Sequence, residues 1–406
     1  MGVHMLTAPI SPSLTCVPGA TVTPVCAMKL VAALPFALVL AAACSSEAPS
    51  TPAPAATPDG GTADAAPVDP KAALAEAVRA ATWTRVAGAP KSSGKQDDVF
   101  FASKTRGFVA SGPESAIFRT DDGGGTWKKV ADKPGTFFRS VLFTSDTHGF
   151  AGNLGAGLTP SIDDKNPIYE TKDGGDTWAP VASMTGPAMP GVCNLTAAGD
   201  KTLVAVGRTN GPAFMAQSRD DGATWATQDL SQSFSMLIDA HFTSANEGLL
   251  AGQNAGGTGV CTIMRTTDGG KTLTPVFSSK TRNSLCWKLH FPSPEVGYVA
   301  VQDTSAGPPT FGKTTDGGKT WTELPLPDGG NPKAGYSAIG IGFLTDEIGW
   351  VVGSDSKKPA YRTFDGGLTW EEEPNLAGPI NRIRFVDKNT VFASGSTVWK
   401  LEIPGK

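Results

Sequence analysis

Short hydrophobic runs separated by turn residues recur along most of this 406-residue chain. In five places a phenylalanine closes one run, and six residues later a glycine precedes a large apolar residue that opens the next, as in Gly349-Trp350-Val351. The five pairs are Phe101 with Gly107, Phe143 with Gly149, Phe242 with Gly248, Phe291 with Gly297, and Phe343 with Gly349. This pattern predicts a strand, a tight turn and a second strand at each place.

A second phrase, Ser/Thr-x-Asp-x-Gly-x-Thr-Trp, occurs six times at a similar spacing. Its last positions are residues 127, 178, 225, 273, 321 and 370, with leucine in place of tryptophan at 273. A period of 47 to 51 residues suits four short strands per unit. Each unit is therefore predicted to contain strand 1, a turn, strand 2, a loop, strand 3, the Asp-containing turn, and strand 4 beginning at the tryptophan.

The two ends of the chain complete the count. Residues 380–403 contain three strand-like runs with no Asp phrase after them, and residues 81–88 look like a strand 4 with no strands before it. Joined, they form a seventh unit whose Asp turn is missing because the chain termini lie there. The sequence thus predicts an all-β ring of seven small sheets over residues 81–406, with about 47 residues per sheet, closed by pairing of the N-terminal strand with the last three.

The composition narrows the class of protein further. The chain has 48 glycines and only 18% charged residues, which is typical of a turn-rich protein and excludes a helical bundle or coiled coil. A hydrophobic content of 40% excludes global disorder. The formal net charge is -4 and no run of Lys or Arg occurs, so the footprint of a general nucleic-acid binder is missing.

The first 70 residues have the features of a targeting segment followed by a tether. Lys29 precedes fourteen uncharged residues and then Cys44, an order typical of a secretory signal and too short for a spanning helix, which needs about 20 residues. Because residues 1–27 carry no Lys or Arg, residues 1–43 are predicted to be a signal peptide whose true start is Met28. Residues 44–70 are rich in Pro and Ala and are expected to be an extended tether, followed by a short helix over 71–80.

The residues around Cys44 predict how the protein is held at the membrane. Ala41-Ala42-Ala43-Cys44 resembles a bacterial lipobox, with alanine rather than leucine at the third position before the cysteine. Cleavage there would leave Cys44 as the lipid-carrying first residue. The alternative is an ordinary signal peptide with an incidental cysteine.

The repeated Asp phrase is the Asp-box, and residues 81–406 resemble Asp-box (BNR-like) repeat β-propellers. The resemblance is closest to the photosystem II assembly and stability factor family and its bacterial relatives, and more distant to sialidase and sortilin-type propellers. It implies a seven-bladed propeller with its boxes on the face away from the functional one. An aspartate in a tight turn can accept several backbone N–H bonds while glycine permits positive φ, so the box aspartates are predicted to be structural. They are Asp122, Asp173, Asp220, Asp268, Asp316 and Asp365.

In such a ring the functional face is built by the residues that enter strand 1 and the loops between strands 2 and 3. Registering the chain on the strand 1 phenylalanines gives a set of candidate rim residues for a binding funnel. They are Asp97, Asp98, Arg139, Asn194, Asp239, Arg282, Trp287, Lys288, Tyr336 and Arg382. Side chains alternate along a strand, so about half of them are expected to face the axis.

An enzymatic alternative can be tested on residue types. A sialidase-like site needs three arginines and a Tyr–Glu pair; Arg139, Arg282 and Arg382 could share a rim, but Tyr336 has no evident Glu partner. A glycosidase needs two carboxylates, and Asp97 or Asp98 with Asp239 is the only rim pair. We therefore expect a non-catalytic protein with no cofactor and no metal, with glycoside hydrolysis as the alternative.

Four cysteines follow the predicted cleavage point. With Cys44 lipidated, three thiols remain in an oxidising compartment, which favours one disulfide and one free cysteine. The preferred pair is Cys261 with Cys286, which lie in neighbouring predicted sheets, while a pairing of Cys193 with either one, or three free thiols, stays open.

These features predict an exported protein, lipid-anchored to a bacterial membrane and facing the periplasm or the cell exterior. It is expected to be a monomeric binding, scaffold or assembly module. The expected partner is a membrane or envelope protein, with a glycan as a further possibility, the lipid bilayer contacted through Cys44, and no nucleic acid. A photosystem assembly factor in the strict sense is the remaining alternative.

Overall fold

A computed structural model of the chain describes residues 69–199, 201–256, 259–303, 309–326, 337–354 and 359–405. One helix, α1 (Pro70–Ala80), and one short strand, β1 (Thr84–Arg85), precede six consecutive sheets. Each sheet is called a blade and numbered in chain order. Blade 1 has β2 (Asp98–Phe101), β3 (Gly107–Ser111), β4 (Ala116–Thr120) and β5 (Lys128–Asp132); blade 2 has β6 (Phe138–Phe143), β7 (Gly149–Asn153), β8 (Ile168–Thr171) and β9 (Ala179–Pro180).

Blades 3 to 6 follow in the same way. Blade 3 has β10 (Met184–Thr185), β11 (Asn194–Ala197), β12 (Leu203–Gly207), β13 (Phe214–Ser218) and β14 (Trp225–Asp229); blade 4 has β15 (Phe234–Phe242), β16 (Gly248–Asn254), β17 (Cys261–Thr266) and β18 (Thr274–Ser278). Blade 5 has β19 (Ser284–His290), β20 (Gly297–Asp303), β21 (Thr310–Thr314) and β22 (Thr322–Pro325); blade 6 has β23 (Ala338–Phe343), β24 (Gly349–Gly353), β25 (Pro359–Thr363) and β26 (Glu371–Ala377).

Blade 7 is built from both ends of the described chain and confirms the predicted ring closure. Its strands β27 (Arg382–Phe385), β28 (Thr390–Ser394) and β29 (Val398–Glu402) are joined by β1, which pairs antiparallel with β29. The paired part is shorter than the predicted 81–88: Thr84 lies opposite Lys400 and Arg85 opposite Trp399, and the amide of Val86 adds one bond to Val398. The predicted all-β, seven-bladed β-propeller is thus the fold of this region.

Two details differ from the predicted four-strand unit. Blade 3 has a fifth strand, β10, which lies parallel to β14 with Met184 opposite Trp225. Its two residues lie in a short connection of Ala, Ser, Thr, Gly and Pro with isolated Val and Met, which has no regular alternation, so the sequence carries no strand signal there. Strand 4 begins at the tryptophan only in blade 3; in the other box-containing blades it begins after the last residue of the phrase.

Packing explains why a glycine follows each of these phenylalanines six residues later. Each phenylalanine ends or directly follows strand 1, each glycine starts strand 2, and the aromatic ring lies against the glycine. A Cβ on Gly349 would lie 2.4 Å from the ring of Phe343, and the other four pairs are equally tight. Any larger residue would have to displace the ring, which explains why glycine occupies this position.

Aromatic rings also join neighbouring blades. Phe143 of blade 2 stacks on Phe108 of blade 1 with ring centroids 3.9 Å apart, and Trp178 meets Phe143 edge-on at 6.0 Å. Stacked and edge-on pairs of this kind stabilise cores beyond the area they bury. The hydrophobic core is accordingly divided among the interfaces between blades.

Helix α1 packs against the closing blades. Asp69 caps it by accepting a bond from the Lys71 amide at 3.0 Å, and Pro70 occupies the first helical turn, where its missing N–H costs nothing. Val78 is buried in the cluster that also contains Trp83 and Trp350, whose rings meet edge-on at 5.9 Å. The sequence predicted this helix at 71–80.

The Asp-box turns define one face of the ring. In blades 1 and 2 the amides of Gly123 and Gly174 in these turns donate to Thr105 and Thr147 in the turns between strands 1 and 2, both at 2.8 Å. The other box-containing blades repeat this bond, so all these turns lie on one side, called the Asp-box face. The starts of the strand 1 segments lie at the opposite end of each blade, and this side is called the opposite face.

Candidate functional site

A group of buried charges lies where the first strands of four blades meet near the axis. This central cluster consists of Asp98 of blade 1, Asn194 of blade 3, Asp239 of blade 4, and Arg382 and Arg384 of blade 7. Asp98, Asn194 and Arg382 are the first residues of their strands. The register on the strand 1 phenylalanines therefore selected residues that do meet.

Arg382 connects the members of the central cluster across the ring. Its Nη2 donates to Oδ1 of Asn194 at 2.9 Å and its Nη1 to Oδ2 of Asp239 at 3.3 Å, while its Nε lies 3.3 Å from Oδ1 of Asp98. Its guanidinium thus contacts side chains of three other blades, through hydrogen bonds to Asn194 and Asp239 and an ion pair with Asp98 in which Nε makes no hydrogen bond.

The two aspartates of the central cluster also tie neighbouring blades together through the backbone. Oδ2 of Asp98 accepts from the amide of Val141 in blade 2 at 3.3 Å, and Oδ2 of Asp239 accepts from the amide of Leu289 in blade 5 at 3.0 Å. The two residues are equivalent in the repeat and use the same bond. Their role in this cluster is to hold blades together.

The charges of the central cluster stabilise one another. Burial opposes ionisation of Asp98, but Arg384 and Arg382 outweigh it and hold the pKa of that carboxyl below its usual range. Asp98 is therefore an ionised, ion-paired carboxylate, unlike the protonated acid that glycoside hydrolysis requires.

A second group, the rim cluster, surrounds the indole of Trp287. Lys95 Nζ lies 5.5 Å from the centre of the ring, the guanidinium carbon of Arg139 5.2 Å, and Lys288 Nζ 6.0 Å. Asp97 pairs with Nη1 of Arg139 and lies 3.6 Å from Lys95. Trp287 is half-buried and donates its indole N–H to Gln302.

Two donor atoms of the rim cluster have no acceptor. Within the described part of the chain, Nε and Nη2 of Arg139 are buried without a hydrogen-bond partner, and the charged form of Lys288 is favoured only by the fields of Asp239 and Asp98. Lys288 is 2% exposed and Arg139 5%. Burial and repulsion from Arg382 hold the pKa of Lys288 well below its ordinary value. Burial, with repulsion from Arg139, lowers the pKa of Lys95 to about 8.

An apolar patch adjoins the rim cluster. Four half-buried side chains, called the apolar rim patch, pack on a buried base of Leu154, Cys193, Ile238 and Leu285. They are Phe137, Leu158, Met236 and Trp287. Arg208 fixes the loop that leads to Leu158, since its Nη1 donates to the carbonyl of Ala156 at 2.7 Å and its Nε to that of Gly211 at 3.0 Å. The patch draws side chains from blades 2, 4 and 5.

The box aspartates lie on the other face in hydrogen-bonded turns. Asp173 accepts from the Thr171 hydroxyl at 2.8 Å, the Thr177 amide at 2.9 Å and the Thr177 hydroxyl at 2.6 Å. These bonds, those of Thr177 foremost, lower the pKa of Asp173 to about 2. The same set recurs in Asp122, Asp220, Asp268, Asp316 and Asp365, as expected of structural groups.

The remaining predicted residues are distributed differently. Arg282 is exposed two residues before β19 begins, so the three arginines considered for a sialidase-like grip are not equivalent: Arg139 and Arg382 are buried and ion-paired. Tyr336 and Cys44 lie outside the described residues. Cys261 and Cys286 form a disulfide, and Cys193 is a buried free thiol, which is the arrangement preferred from the sequence.

The sequence analysis missed two members of these clusters. Lys95 precedes the first strand of blade 1 by three residues and reaches back to Asn381, whose side-chain oxygen it meets at 2.9 Å. Arg384 lies two residues after Arg382, so strand alternation alone places both on one face and could have revealed it.

Metal and membrane features were also sought in the described ranges. There, no group of three or more His, Cys, Asp or Glu side chains is arranged to hold a metal ion. Within the same ranges, no helix has the length and apolar character needed to cross a bilayer.

The fold and the repeated turns define the class of protein as a seven-bladed Asp-box β-propeller. No protein-family model matches the chain, and no curated protein matches it either. Solved structures do. YCF48 from Cyanidioschyzon merolae is 18% identical with a TM-score of 0.58 over 79% of this chain and 99% of that one. YCF48 bound to D1 peptide is 17% identical with a TM-score of 0.57 over 80% and 97%.

Enzymes share the same architecture. A streptogramin B lyase is 13% identical with a TM-score of 0.60 over 81% of this chain and 99% of that one. The GH74 xyloglucanase from Xanthomonas campestris is 14% identical with a TM-score of 0.53 over 79% of this chain and 53% of that one. At these identities the likeness is one of fold, and function has to be argued from the site.

Proposed function

We propose that this protein is an exported binding or assembly module, lipid-anchored through Cys44, that holds a protein partner on its opposite face and catalyses no reaction. The partner class is a membrane or envelope protein. The proposal rests on three features: a leader sequence that resembles a lipoprotein signal, a propeller fold, and the charged and apolar clusters on the opposite face.

The observation that carries the proposal is the apolar rim patch beside the rim cluster. Half-buried Phe137, Leu158, Met236 and Trp287 lie beside a cationic group in which Arg139 has two donor atoms without acceptors in the described chain. Large apolar side chains next to convergent polar groups are typical of protein-binding surfaces, where Trp, Met and Arg are enriched. YCF48 bound to D1 peptide supports a peptide or protein as the ligand of this fold.

The attachment of α1 supports the choice of face. Lys71 forms an ion pair with Glu347 at 2.8 Å, and Glu347 lies in the strand 1–2 turn of blade 6 on the Asp-box face. The start of α1 therefore lies at the Asp-box face. A partner bound to the opposite face would not compete with α1 for the same surface.

The central cluster argues against glycoside hydrolysis. Asp98 and Asp239, the carboxylate pair considered for it, both contact Arg382 and both accept backbone N–H bonds. A general acid needs a raised pKa, whereas the pKa of Asp98 is lowered. These carboxylates are better suited to holding four blades around the axis.

Site-specific photocrosslinking in the native membrane tests the binding function. A photoreactive residue at Leu158 or Met236 in the full chain is expected to give discrete protein adducts, whereas the same residue at Lys172 on the Asp-box face should give none. Adducts only from Lys172, or none at all, would contradict the proposal. Identification of a photosystem subunit among the adducts would select the strict assembly-factor alternative.

Two further measurements test the anchor and the absence of activity. Cys44→Ser is expected to move the protein from the membrane fraction to the soluble fraction. A panel of sialoside and glucan reporters should show no turnover by the wild-type protein. Turnover that Asp239→Asn abolishes would establish the hydrolase alternative instead, and a response on a glycan array without protein adducts would replace the protein partner by a carbohydrate.

A further inference from the structure

The unsatisfied donors of the rim cluster are unusual for a folded protein. Nearly all buried polar atoms have hydrogen-bond partners, and a missing partner destabilises the fold. Yet within the described residues Arg139 leaves Nε and Nη2 unpaired, and burial of Lys288 disfavours its charged form. An external acceptor at this place would remove that cost.

The free atoms of Arg139 have the geometry of a specific acceptor site. Nη1 is occupied by Asp97, while Nε and Nη2 form the adjacent edge of the guanidinium. Two parallel N–H groups on one edge match the two oxygens of a carboxylate, and this bidentate pairing is the strongest common hydrogen-bonded ion pair. Lys288 and Lys95, on the same indole ring, would supply further donors.

The surroundings favour a carboxylate carried on a polypeptide side chain. Among the described residues, Asp97 is the only carboxylate in an ion pair with Lys95 or Arg139, so positive charges outnumber negative ones here, although Oδ2 of Asp97 also has no hydrogen-bond partner. The apolar rim patch would contact residues that flank the acidic one. The half-buried indole of Trp287 lies over Arg139, so its rotation would expose the free guanidinium edge.

We propose that the rim cluster binds an acidic side chain of the protein partner, with its carboxylate held by Arg139 and Lys288 and its aliphatic stem against Trp287. This inference rests on the proposed function, because it names the chemistry recognised at the same face. It assigns the specific recognition to three residues from blades 2 and 5.

The electrostatics of Lys288 add a measurable consequence. Burial and the positive charges of Arg382 and Arg139 lower its pKa, while Asp239 and Asp98 oppose this effect. A bound carboxylate would raise that pKa, so binding takes up a proton between the pKa of the free site and that of the occupied site. Affinity is therefore expected to increase as the pH falls through this interval, and Lys288→Met should reduce this dependence.

The probe for the test is a library of random dodecapeptides, acetylated at the N-terminus and amidated at the C-terminus, selected on the intact mature protein. Enriched peptides are expected to contain Asp or Glu beside apolar residues. Exchange of that residue for Asn or Gln should weaken binding at least tenfold. Lys288→Met and Arg139→Gln should each weaken binding of the acidic peptide to a similar extent. The affinity for the amide-substituted peptide should be nearly unchanged in both variants.

Lys172→Met is the matched control, because it removes an exposed lysine on the Asp-box face and should leave affinity unchanged. A circular dichroism melt of each variant separates lost binding from lost folding. The inference is overturned if no peptide is enriched, if binders lack acidic residues, or if Lys288→Met and Arg139→Gln bind the acidic peptide like wild type. It is also overturned if inorganic phosphate displaces the peptide at equal concentration, which would assign the site to a free oxoanion.

This outcome is distinguishable from a failure of the proposed function. If crosslinking from Leu158 and Met236 still captures a protein while the peptide selection fails, the binding module stands and the carboxylate chemistry is wrong. If both fail, the proposed function is wrong as well.

Discussion

Two buried cations near the axis have opposite environments. Arg382 donates to Asn194 and Asp239 and forms an ion pair with Asp98, whereas at Lys288 burial and repulsion from Arg382 outweigh the attraction of Asp239 and Asp98 and lower its pKa. A buried charge that is paired and hydrogen-bonded is costly to uncouple, while a buried charge without a partner is itself destabilising. Arg382 therefore adds to the stability of the ring, whereas Lys288 lowers it. Residues that lower stability are common at functional sites.

Replacement of these two residues by methionine should therefore have opposite effects. Lys288→Met should raise the free energy of unfolding by about 1 kcal/mol, because it removes, at similar volume, a buried amine whose charged form burial disfavours. Arg382→Met should lower it by about 3 kcal/mol, because it leaves Asp239 buried without its ion pair. Chemical denaturation of both variants measures the difference, and a Lys288→Met variant less stable than wild type would show that the amine has a partner.

Among the elements of the fold, the Asp-box turns stabilise the blades by the same set of hydrogen bonds each time. Each box aspartate accepts one backbone N–H and two hydroxyls and thereby closes the turn between strands 3 and 4. Because these bonds favour the charged form, the pKa of Asp122, Asp173 and Asp316 falls to about 2. In the unfolded chain the aspartates have their ordinary pKa of about 4.

The stability of the folded protein should consequently depend on pH within a defined acidic range. The contribution of the box aspartates to the free energy of unfolding is complete above about pH 4 and is lost as the pH falls from about 4 towards 2. In this interval the unfolded chain binds protons while the folded chain, with its lower aspartate pKa, does not. The midpoint of thermal unfolding, measured between pH 6 and pH 2, should drop most steeply in this interval. Asp173→Asn should lower the midpoint at pH 6 and make the drop shallower; an unchanged slope would exclude Asp173 as a contributor.

The disulfide joins elements of neighbouring blades. Cys261 is the first residue of strand 3 in blade 4, and Cys286 lies in strand 1 of blade 5, 25 residues further on. A covalent link of this loop length reduces the entropy of the unfolded chain by an amount worth about 3 kcal/mol.

The double variant Cys261→Ala with Cys286→Ala should therefore lower the free energy of unfolding by about 3 kcal/mol. Guanidinium denaturation under non-reducing conditions measures the loss. Cys193→Ala serves as the control, because it removes a buried cysteine of the rim and leaves the disulfide intact. Equal sensitivity of wild type and double variant to reductant would contradict the assignment.

The whole ring depends on contacts between the two ends of the propeller. β1 completes blade 7, and the segment around it carries Trp83, which is 2% exposed and packs on Trp350 of blade 6. α1 covers the same cluster through Val78. Ring closure is thus secured by side-chain packing as well as by the two paired residues of β1.

Trp83→Ala should lower the free energy of unfolding by about 3–5 kcal/mol, because it leaves a large cavity at the closing seam. Trp83→Phe should cost much less, since the indole nitrogen of Trp83 has no hydrogen-bond partner in the described chain. Differential scanning calorimetry measures both midpoints. Similar losses for the two variants would show that the indole nitrogen contributes after all.

Much of the architecture could be predicted because its signals are local. Phe343 must be followed by a glycine at 349, since the ring occupies the space of a Cβ, and Asp173 needs Thr171 and Thr177 at fixed offsets to close its turn. Such constraints repeat with the period of the blade and reveal strands, turns and their number. The fifth strand of blade 3 escaped because two residues carry no periodicity.

The sequence by itself determined seven blades, ring closure by the N-terminal strand, and the set of residues at the start of each strand 1. Only the tertiary structure decided which of them meet: Arg382 reaches Asn194 and Asp239 across the ring, Asp97 pairs with Arg139 of the next blade, and Lys288 is buried beside Arg382 and Arg139. The physical reason is that contacts between residues of different blades depend on how whole blades are placed around the axis. The periodic pattern describes a single blade and contains no information on which side chains of other blades it meets.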